Sequence, residues 1–425
     1  NILKMRNSAN DGWIDLRTLT GGITSTADAT INSITVGKGA NSVSGNTVLG
    51  EDALDASVSG GNNTAIGHDA LTTLTSGEAN TAVGNEAMKL HTTGDNNTAV
   101  GHRALDANTT ASGNTAIGRA SLGQNTTGDN NTAVGSTTLD ANTSGASNVA
   151  VGNNALSANT TANRNTAVGD NSLAANTTGT ENTAVGTSAL AANTTADNNV
   201  AVGEDALLSN TTGANNVALG RRSLANNTTA DQNVGVGANS LVTNTTGTRN
   251  TAVGFHALEA NTTATNNVAV GNEALTANTT GTEGVAVGDR SLSNNTTGNK
   301  NNGMGHFSLN ANTEGNSNTG IGHDTLKSNT TGDDNTAIGA FALDANTTAS
   351  DNTAIGRTAL GANTTGTKNV AVGRSALAEN TTADNNVAIG NSALGVNTTG
   401  TNNVAVGTLA LDANTTSNDN TAVGY

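Results

Sequence analysis

Aliphatic residues return at fixed positions along almost the whole chain. A closing glycine recurs every seventeen residues from Gly50 to Gly424, so that 22 units fit between them without insertion or deletion. We number the positions of each unit 1 to 17, with this glycine at position 17. Position 16 is always aliphatic, and position 4 is Leu in 21 of the 22 units. A period this strict indicates a repeat architecture in which each unit forms one coil.

The residues before each closing glycine alternate as in a β-strand. In Asn267-Val268-Ala269-Val270-Gly271, the two valines point one way, and Asn267 and Ala269 point the other. The valines and the position-4 leucines are the largest apolar groups of each unit, so we expect them to fill the core. The predicted core ladder comprises Leu105, Ile117, Val270 and Leu275.

Position 15 holds only Ala or Gly in all 22 units. This restriction predicts the close approach of another backbone, either from the opposite side of the coil or from a partner subunit. The predicted small-residue packing face includes Ala116, Gly235, Ala269, Gly303 and Gly320.

Two asparagine columns accompany the strands. Position 7 is Asn in all units from Asn108 to Asn414, and position 13 is Asn in 21 of 22 units, with Gly284 as the exception. Identical asparagines in stacked strands can hydrogen-bond from amide to amide along the stack. We therefore predict structural Asn ladders, represented by Asn108, Asn114, Asn125 and Asn267.

These patterns predict an all-β protein, a parallel β-solenoid (β-roll) with one coil per seventeen residues. Residues 1–30 form a cap or joint, in which two short strands flank an Asn-Asp-Gly turn. Residues 31–50 form a transition coil with a shorter repeat, and residues 51–425 form the solenoid shaft.

Two segments resemble known families. The phrase from Arg6 to Arg17, which contains Trp13, resembles segments that precede the shaft in phage tail-fibre and related virion proteins. The segment from Asn32 to Gly50 resembles the head repeats of YadA-like trimeric autotransporter adhesins. This second resemblance implies a left-handed β-roll assembled as a homotrimer, although the seventeen-residue units that follow are about three residues longer than the adhesin repeats.

Composition narrows the functional classes. Aromatic residues are 1% of the chain, Cys and Pro are absent, and the formal net charge is −16. The negative charge argues against a nucleic-acid partner, and no apolar run is long enough for membrane insertion. Two large apolar groups per coil fill a core thinly. We therefore expect association with identical chains, as a homotrimer or as an end-to-end or bundled filament.

No recurrent grouping of side chains indicates catalysis, and we expect no enzyme activity and no cofactor. His306 and His323 occupy position 1 of adjacent coils, but solvent-facing turns explain them better than a metal pair does, and no metal is expected. The prediction is a structural fibre shaft at a virion or extracellular surface, with a host receptor bound through a tip outside this sequence. The alternatives are a bacterial adhesin stalk, an extracellular filament and, less favoured, an ice-binding solenoid with a flat Thr array.

Overall fold

The computed structural model describes residues 4–6, 13–15 and 28–425. The chain divides into two units, residues 1–129 and 130–425. Both are built from short strands that are joined by turns. The strands are β1 Lys4–Arg6, β2 Trp13–Asp15, β3 Ala29–Ile31, β4 Ile34–Gly37, β5 Thr47–Gly50, β6 Thr64–Ile66, β7 Thr81–Val83, β8 Thr98–Val100, β9 Thr115–Ile117, β10 Thr132–Val134, β11 Val149–Val151, β12 Thr166–Val168, β13 Thr183–Val185, β14 Val200–Val202, β15 Val217–Leu219, β16 Val234–Val236, β17 Thr251–Val253, β18 Val268–Val270, β19 Val285–Val287, β20 Asn302–Met304, β21 Thr319–Ile321, β22 Thr336–Ile338, β23 Thr353–Ile355, β24 Val370–Val372, β25 Val387–Ile389, β26 Val404–Val406 and β27 Thr421–Val423.

The first unit changes from antiparallel to parallel pairing. Strands β1 and β2 pair antiparallel, with Met5 opposite Ile14; the predicted turn between them, like most of the predicted cap at 1–30, lies outside the described residues. Strands β3, β4 and β5 also pair antiparallel in sequence order. A single 3-10 turn, Ala40–Ser42, lies between β4 and β5. From β5 to β9 every pairing is parallel.

The second unit is a parallel solenoid from β10 to β27. Each strand pairs with the next in a register of seventeen residues, as when Ala252 faces Ala269 and Ala269 faces Ala286. The turns stack in the same register, because Leu275 N–H donates to the carbonyl of Ser291 in the next coil. The predicted all-β class and the parallel solenoid of seventeen-residue coils are therefore confirmed. No helix within the described ranges combines the length and hydropathy needed to cross a lipid bilayer.

The interior of each coil contains the leucine and the small strand residue. Leu105 is fully buried and Leu275 is 1% exposed, while Ala116 and Ala269 are fully buried. The position-4 leucines hold left-handed backbone, with φ of 53° at Leu105 and 51° at Leu275. Left-handed geometry costs an L-residue roughly 1–2 kcal/mol, so burial of the leucine side chain offsets a strain that each coil repeats.

The aliphatic residue at position 16 points outward, and its prediction as a core residue is wrong. Val270 is 37% exposed and Ile117 is 41% exposed. The strand alternates as expected, but its inward face is the one that carries Asn267 and Ala269. The physical reason is the narrow interior of the coil, in which the leucine and the asparagines leave room for a single methyl group at position 15.

The closing glycine is required by its backbone geometry. Gly271 has a φ of 143°, and a Cβ atom placed there would lie 2.4 Å from the carbonyl oxygen of Gly288 in the next coil. Both the left-handed φ and this backbone contact exclude a side chain. The strict seventeen-residue spacing of the glycine thus follows from the stacking of coils.

Candidate functional site

The asparagines at position 7 form a buried ladder of amide-to-amide hydrogen bonds. Asn125 Nδ2 donates to Asn108 Oδ1 at 3.4 Å. In the second unit, Asn210 Nδ2 donates to Asn193 Oδ1 at 3.1 Å, and Asn227 Nδ2 donates to Asn210 Oδ1 at 2.9 Å. Each amide is fully buried. Such amides stabilise the stack because buried polar groups that keep their partners avoid the penalty of desolvation.

The asparagines at position 13 form a second ladder, in which the backbone is an additional donor. The backbone N–H of Asn114 donates to Asn97 Oδ1 at 2.9 Å, and that of Asn267 donates to Asn250 Oδ1 at 3.0 Å. The side-chain oxygen of one coil thus accepts from the main chain of the next. This ladder adds a bond from backbone to side chain, and it also contains the predicted amide-to-amide contact, as where Asn250 Nδ2 donates to Asn233 Oδ1 at 3.2 Å.

The two ladders meet at the carbonyl of position 10. Gly213 O accepts a hydrogen bond from Asn199 of the second ladder at 2.9 Å and from Asn210 of the first at 2.9 Å. The same carbonyl oxygen uses both of its lone pairs, so one acceptor holds Asn210 of its own coil and Asn199 of the preceding coil. This junction recurs in coil after coil and closes the turn that carries the two threonines.

Gly284 interrupts the second ladder. Its N–H still donates to Asn267 Oδ1 at 2.8 Å, but it has no side-chain oxygen for the N–H of Asn301 in the next coil. The Asn301 side chain turns instead toward Asn295 Oδ1, at 3.3 Å. The gap is therefore confined to one step of the ladder.

The small-residue face packs against the turn of its own coil. A Cβ atom on Gly235 would lie 2.4 Å from Ser223 Oγ and 3.0 Å from Ser240 Oγ. Gly303 and Gly320 are in the same situation, with Ser291 Oγ at 2.5 Å and Ser308 Oγ at 2.7 Å. In each case a position-3 hydroxyl occupies the space that a methyl group fills elsewhere.

In that space the serine hydroxyl groups donate hydrogen bonds to the carbonyls of the position-15 glycines. Ser223 Oγ donates to Gly235 O at 3.0 Å and lies 2.8 Å from Ser240 Oγ. Ser308 Oγ donates to Gly320 O at 2.8 Å. At Gly235, Gly303 and Gly320 the nearest group is thus a side-chain hydroxyl of the same chain, whereas the sequence predicted the approach of another backbone.

A third column of oxygen acceptors runs along position 11. Thr180 N–H donates to Asp197 Oδ1 at 2.6 Å, Asn299 N–H to Asn316 Oδ1 at 2.9 Å, and Asp333 N–H to Ser350 Oγ at 3.0 Å. No role for position 11 was predicted from the sequence. Its frequent Asp, Asn and Ser residues were the signal that could have revealed the column.

His91 stands in the position-7 column, in the coil before Asn108. Its ring is fully buried, with Nε2 2.8 Å from Gly94 O and Nδ1 3.0 Å from Asn108 Nδ2. Nε2 must therefore donate and Nδ1 must accept, which is the pattern of a neutral imidazole. Burial lowers the pKa of His91, against the smaller opposing effect of its backbone hydrogen bonds.

The outward face of the sheet carries no charge. In the second unit, position 16 contributes only Val, Leu, Ile and Met from Val134 to Val423, and position 14 contributes Thr, Val and Asn302. Val202, Met304 and Ile389 are 38%, 41% and 42% exposed. This outer face was not predicted from the sequence, because the same aliphatic residues were assigned to the core.

Charged side chains lie on the turns that flank this face. Arg164 Nη1 lies 2.6 Å from Glu181 Oε1, and Arg290 Nε lies 2.7 Å from Glu273 Oε2, in both cases between adjacent coils. The Glu273 carboxylate raises the pKa of Arg290, mainly through its hydrogen bond. Uncharged columns bordered by charged ones have the composition of an interface core with a polar rim.

The two threonines of each turn differ in what their hydroxyl groups do. Thr211 Oγ1 donates to the carbonyl of Thr228 in the next coil at 3.0 Å, whereas Thr212 at position 9 is exposed. Only one of the two threonine columns is therefore fully presented to solvent. A single rank is a weak basis for an ice-binding array, which requires a surface that extends in two dimensions.

Comparison with protein-family models and with curated proteins found no match for this chain.

Proposed function

We propose that this protein is a structural fibre shaft in which identical chains associate through the outward face of the sheet. The observation that carries the proposal is the uncharged aliphatic column at position 16, which continues strand after strand. Fibre shafts need a long, regular surface for side-by-side contact, and this face supplies one.

The size of the face supports a stable contact. At roughly 50 Å² of exposed surface per aliphatic side chain, the eighteen strands from β10 to β27 offer on the order of 1,000 Å², comparable to one partner's share of a standard protein interface. Soluble monomers rarely leave a contiguous apolar patch larger than a few hundred Å² in water. Covering this face is therefore strongly favourable.

An identical chain is the partner that fits best. The side chains of the face repeat with the strand spacing of a parallel sheet, about 4.8 Å, and a second copy repeats with the same spacing. Two such faces stay in step over many coils, while a surface without that period loses contact after a few. A homotrimer is the subunit number implied by the resemblance of residues 32–50 to trimeric adhesin heads.

A rigid interior suits a shaft. The strands, the turns and the two Asn ladders, the second with a gap at Gly284, connect the coils of the second unit, so bending requires many hydrogen bonds to stretch together. We propose a tail-fibre-like appendage at a virion or extracellular surface that holds a receptor-binding tip away from its base, in preference to an adhesin stalk or a filament. The resemblance of residues 6–17 to virion proteins supports that preference.

Native mass spectrometry and analytical ultracentrifugation test the proposal. We expect a trimer for the unmodified chain. The triple variant Val185→Lys, Val270→Lys and Ile338→Lys places charge on the outward face and is expected to give monomers with unchanged β circular dichroism. A monomeric unmodified chain with native β signal would refute the proposal.

A matched control places three lysines on a turn. Asn198→Lys, Asn266→Lys and Asn385→Lys add the same charge at position 12, where Lys300 and Lys368 already stand. This variant is expected to remain trimeric. If both triple variants dissociate equally, net charge explains the loss and the outward face is not the interface.

A further inference from the structure

Two histidines and one aspartate converge on the turns after β20 and β21. The imidazole rings of His306 and His323 stack across adjacent coils, with centroids 5.2 Å apart and planes at 20°. Candidate ligand atoms of His306, His323 and Asp324 all lie within 4.8 Å of one another. Because the coils stack in register, two residues seventeen apart become neighbours on the surface of the solenoid.

Asp324 adds an independent observation. The residue is 9% exposed, and its Oδ1 atom is enclosed without a hydrogen-bond partner among the described residues. Its Oδ2 atom lies 3.5 Å from His323 Nδ1. A buried carboxylate oxygen without a donor is costly in a folded protein, and a cation that binds both oxygens of Asp324 would remove that cost.

We propose that His306, His323 and Asp324 form a binding site for a divalent transition-metal ion of the zinc class. Two imidazoles and one carboxylate are a common protein ligand set for Zn²⁺, with water in the fourth position. Zn–N and Zn–O bonds of about 2.0–2.2 Å require the three side chains to move inward by roughly 1 Å. The side chains of His306 and His323 are about half exposed, at 45% and 52%, which leaves room for that adjustment.

Lys327 competes with a metal ion for the carboxylate of Asp324. Lys327 Nζ lies 3.2 Å from Asp324 Oδ2, and its side chain is 45% exposed. A metal ion replaces this ammonium group as the partner of the carboxylate, and Lys327 moves into solvent. Asp289 Oδ2 lies 3.4 Å from His306 Nε2 and adds negative charge beside the site.

A second cluster provides a comparison within the same chain. Asp52, His68 and Asp69 also bring three candidate ligand atoms within 4.8 Å. It has one imidazole, whose Nδ1 is 3.2 Å from Asn85 Nδ2, and its Asp69 accepts a hydrogen bond from Lys89 at 2.9 Å. Carboxylate-rich sites favour hard cations over zinc, so this cluster is the weaker zinc site.

The bound metal would link two successive coils outside the backbone. It joins position 1 of one coil to positions 1 and 2 of the next, on a turn beside the outward sheet face. The site is independent of the proposed self-association, because all three ligands lie on the turns.

Isothermal titration of the full chain with ZnCl₂ tests the site. We expect one zinc ion per chain to bind most tightly, and the variants His306→Ala, His323→Ala and Asp324→Asn to weaken that binding by on the order of tenfold or more, since even the loss of an outer partner of a ligand costs 10–100-fold. His68→Ala and His102→Ala should leave this binding unchanged. Circular dichroism checks that each variant is folded.

Cobalt substitution reports the ligands directly. Co²⁺ bound to the unmodified chain is expected to give visible d–d absorption that disappears in His306→Ala and His323→Ala and persists in His68→Ala. Binding that is equally strong in His306→Ala and in the unmodified chain overturns the proposal. So does the absence of any zinc binding below about 100 μM, an affinity of roughly 5.5 kcal/mol.

Discussion

The gap in the second Asn ladder allows the contribution of one ladder step to be measured. Replacing Gly284 by Asn restores the residue that stands at position 13 in the other 21 units. A Cβ atom there would lie 3.7 Å from Asn301 O and 3.1 Å from Asn267 Oδ1, so the Asn267 side chain has to shift by a few tenths of an ångström. We expect the new side-chain oxygen to accept from the N–H of Asn301 and the new amide to donate to the carbonyl of Gly298.

The expected gain is about 2 kcal/mol. Two or three new hydrogen bonds contribute about 1 kcal/mol each, and loss of a glycine from the unfolded chain contributes roughly 0.5–1 kcal/mol. Ordering the amide side chain costs about 1–1.5 kcal/mol, and the 3.1 Å contact takes a further part of the gain. The balance favours the Asn variant, and its stabilisation is concentrated at one step of the stack.

Hydrogen exchange is the appropriate assay, because repeat proteins open locally and do not unfold in a single transition. A stabilisation of 2 kcal/mol slows exchange of the Asn301 amide by roughly 30-fold. Gly284→Ala is the matched control, since it fills the same space without a ladder hydrogen bond and should give less than about 1 kcal/mol. Equal protection of Asn301 in the Asn and Ala variants would contradict our account of the ladder.

Three further predictions concern the interior of the coil. Gly235→Ala should lower the midpoint of urea denaturation through a local cost of about 1–2 kcal/mol, because the methyl group displaces Ser223 Oγ. Adding Ser223→Ala should recover most of the loss, and additive effects would argue against the contact. Ala269→Leu should cost about 3 kcal/mol or more, since it overfills a fully buried site, and an unchanged denaturation midpoint would contradict close packing there. The pKa of His91 is lowered in the folded chain. As the pH falls below about 6.5, the unfolded chain therefore takes up a proton before the folded chain does, and stability should fall until the pH passes the folded-state pKa. His91→Asn should abolish this loss, measured as the difference between thermal melts at pH 7 and pH 5.

The repeat length, the strand positions and the buried leucines could be read from the sequence. They follow from local rules: alternation defines the strand, and the recurring glycine marks a backbone that no other residue adopts. Which face of the strand is buried did not follow from the sequence, because alternation places Val270 and Ala269 on opposite faces without showing which face points inward. The usual ranking of hydrophobic residues favoured Val270. Asn267 lies on the same face as Ala269 and favoured the opposite assignment, since an Asn that recurs in 21 of 22 units is typical of a buried, hydrogen-bonded position.

The candidate sites could be predicted only in part. The proximity of His306 and His323 follows from the register of seventeen and was recognised, but no metal site was expected there. Asp324 was not recognised as part of this cluster, because it follows His323 directly in the sequence and its proximity to His306 arises only when the next coil is stacked. The oxygen column at position 11 was missed for a related reason: an acceptor there serves the preceding coil, so its role is invisible within a single unit.

The unbroken register also defines how the length of such a protein changes. Removing seventeen residues between two equivalent positions of the second unit leaves every column in place and shortens the stack by one strand spacing, about 4.8 Å. Removing one residue instead moves an aliphatic side chain into the site of an alanine. Length is therefore available only in discrete steps, and unequal recombination between repeats in the gene produces whole steps without disturbing the fold.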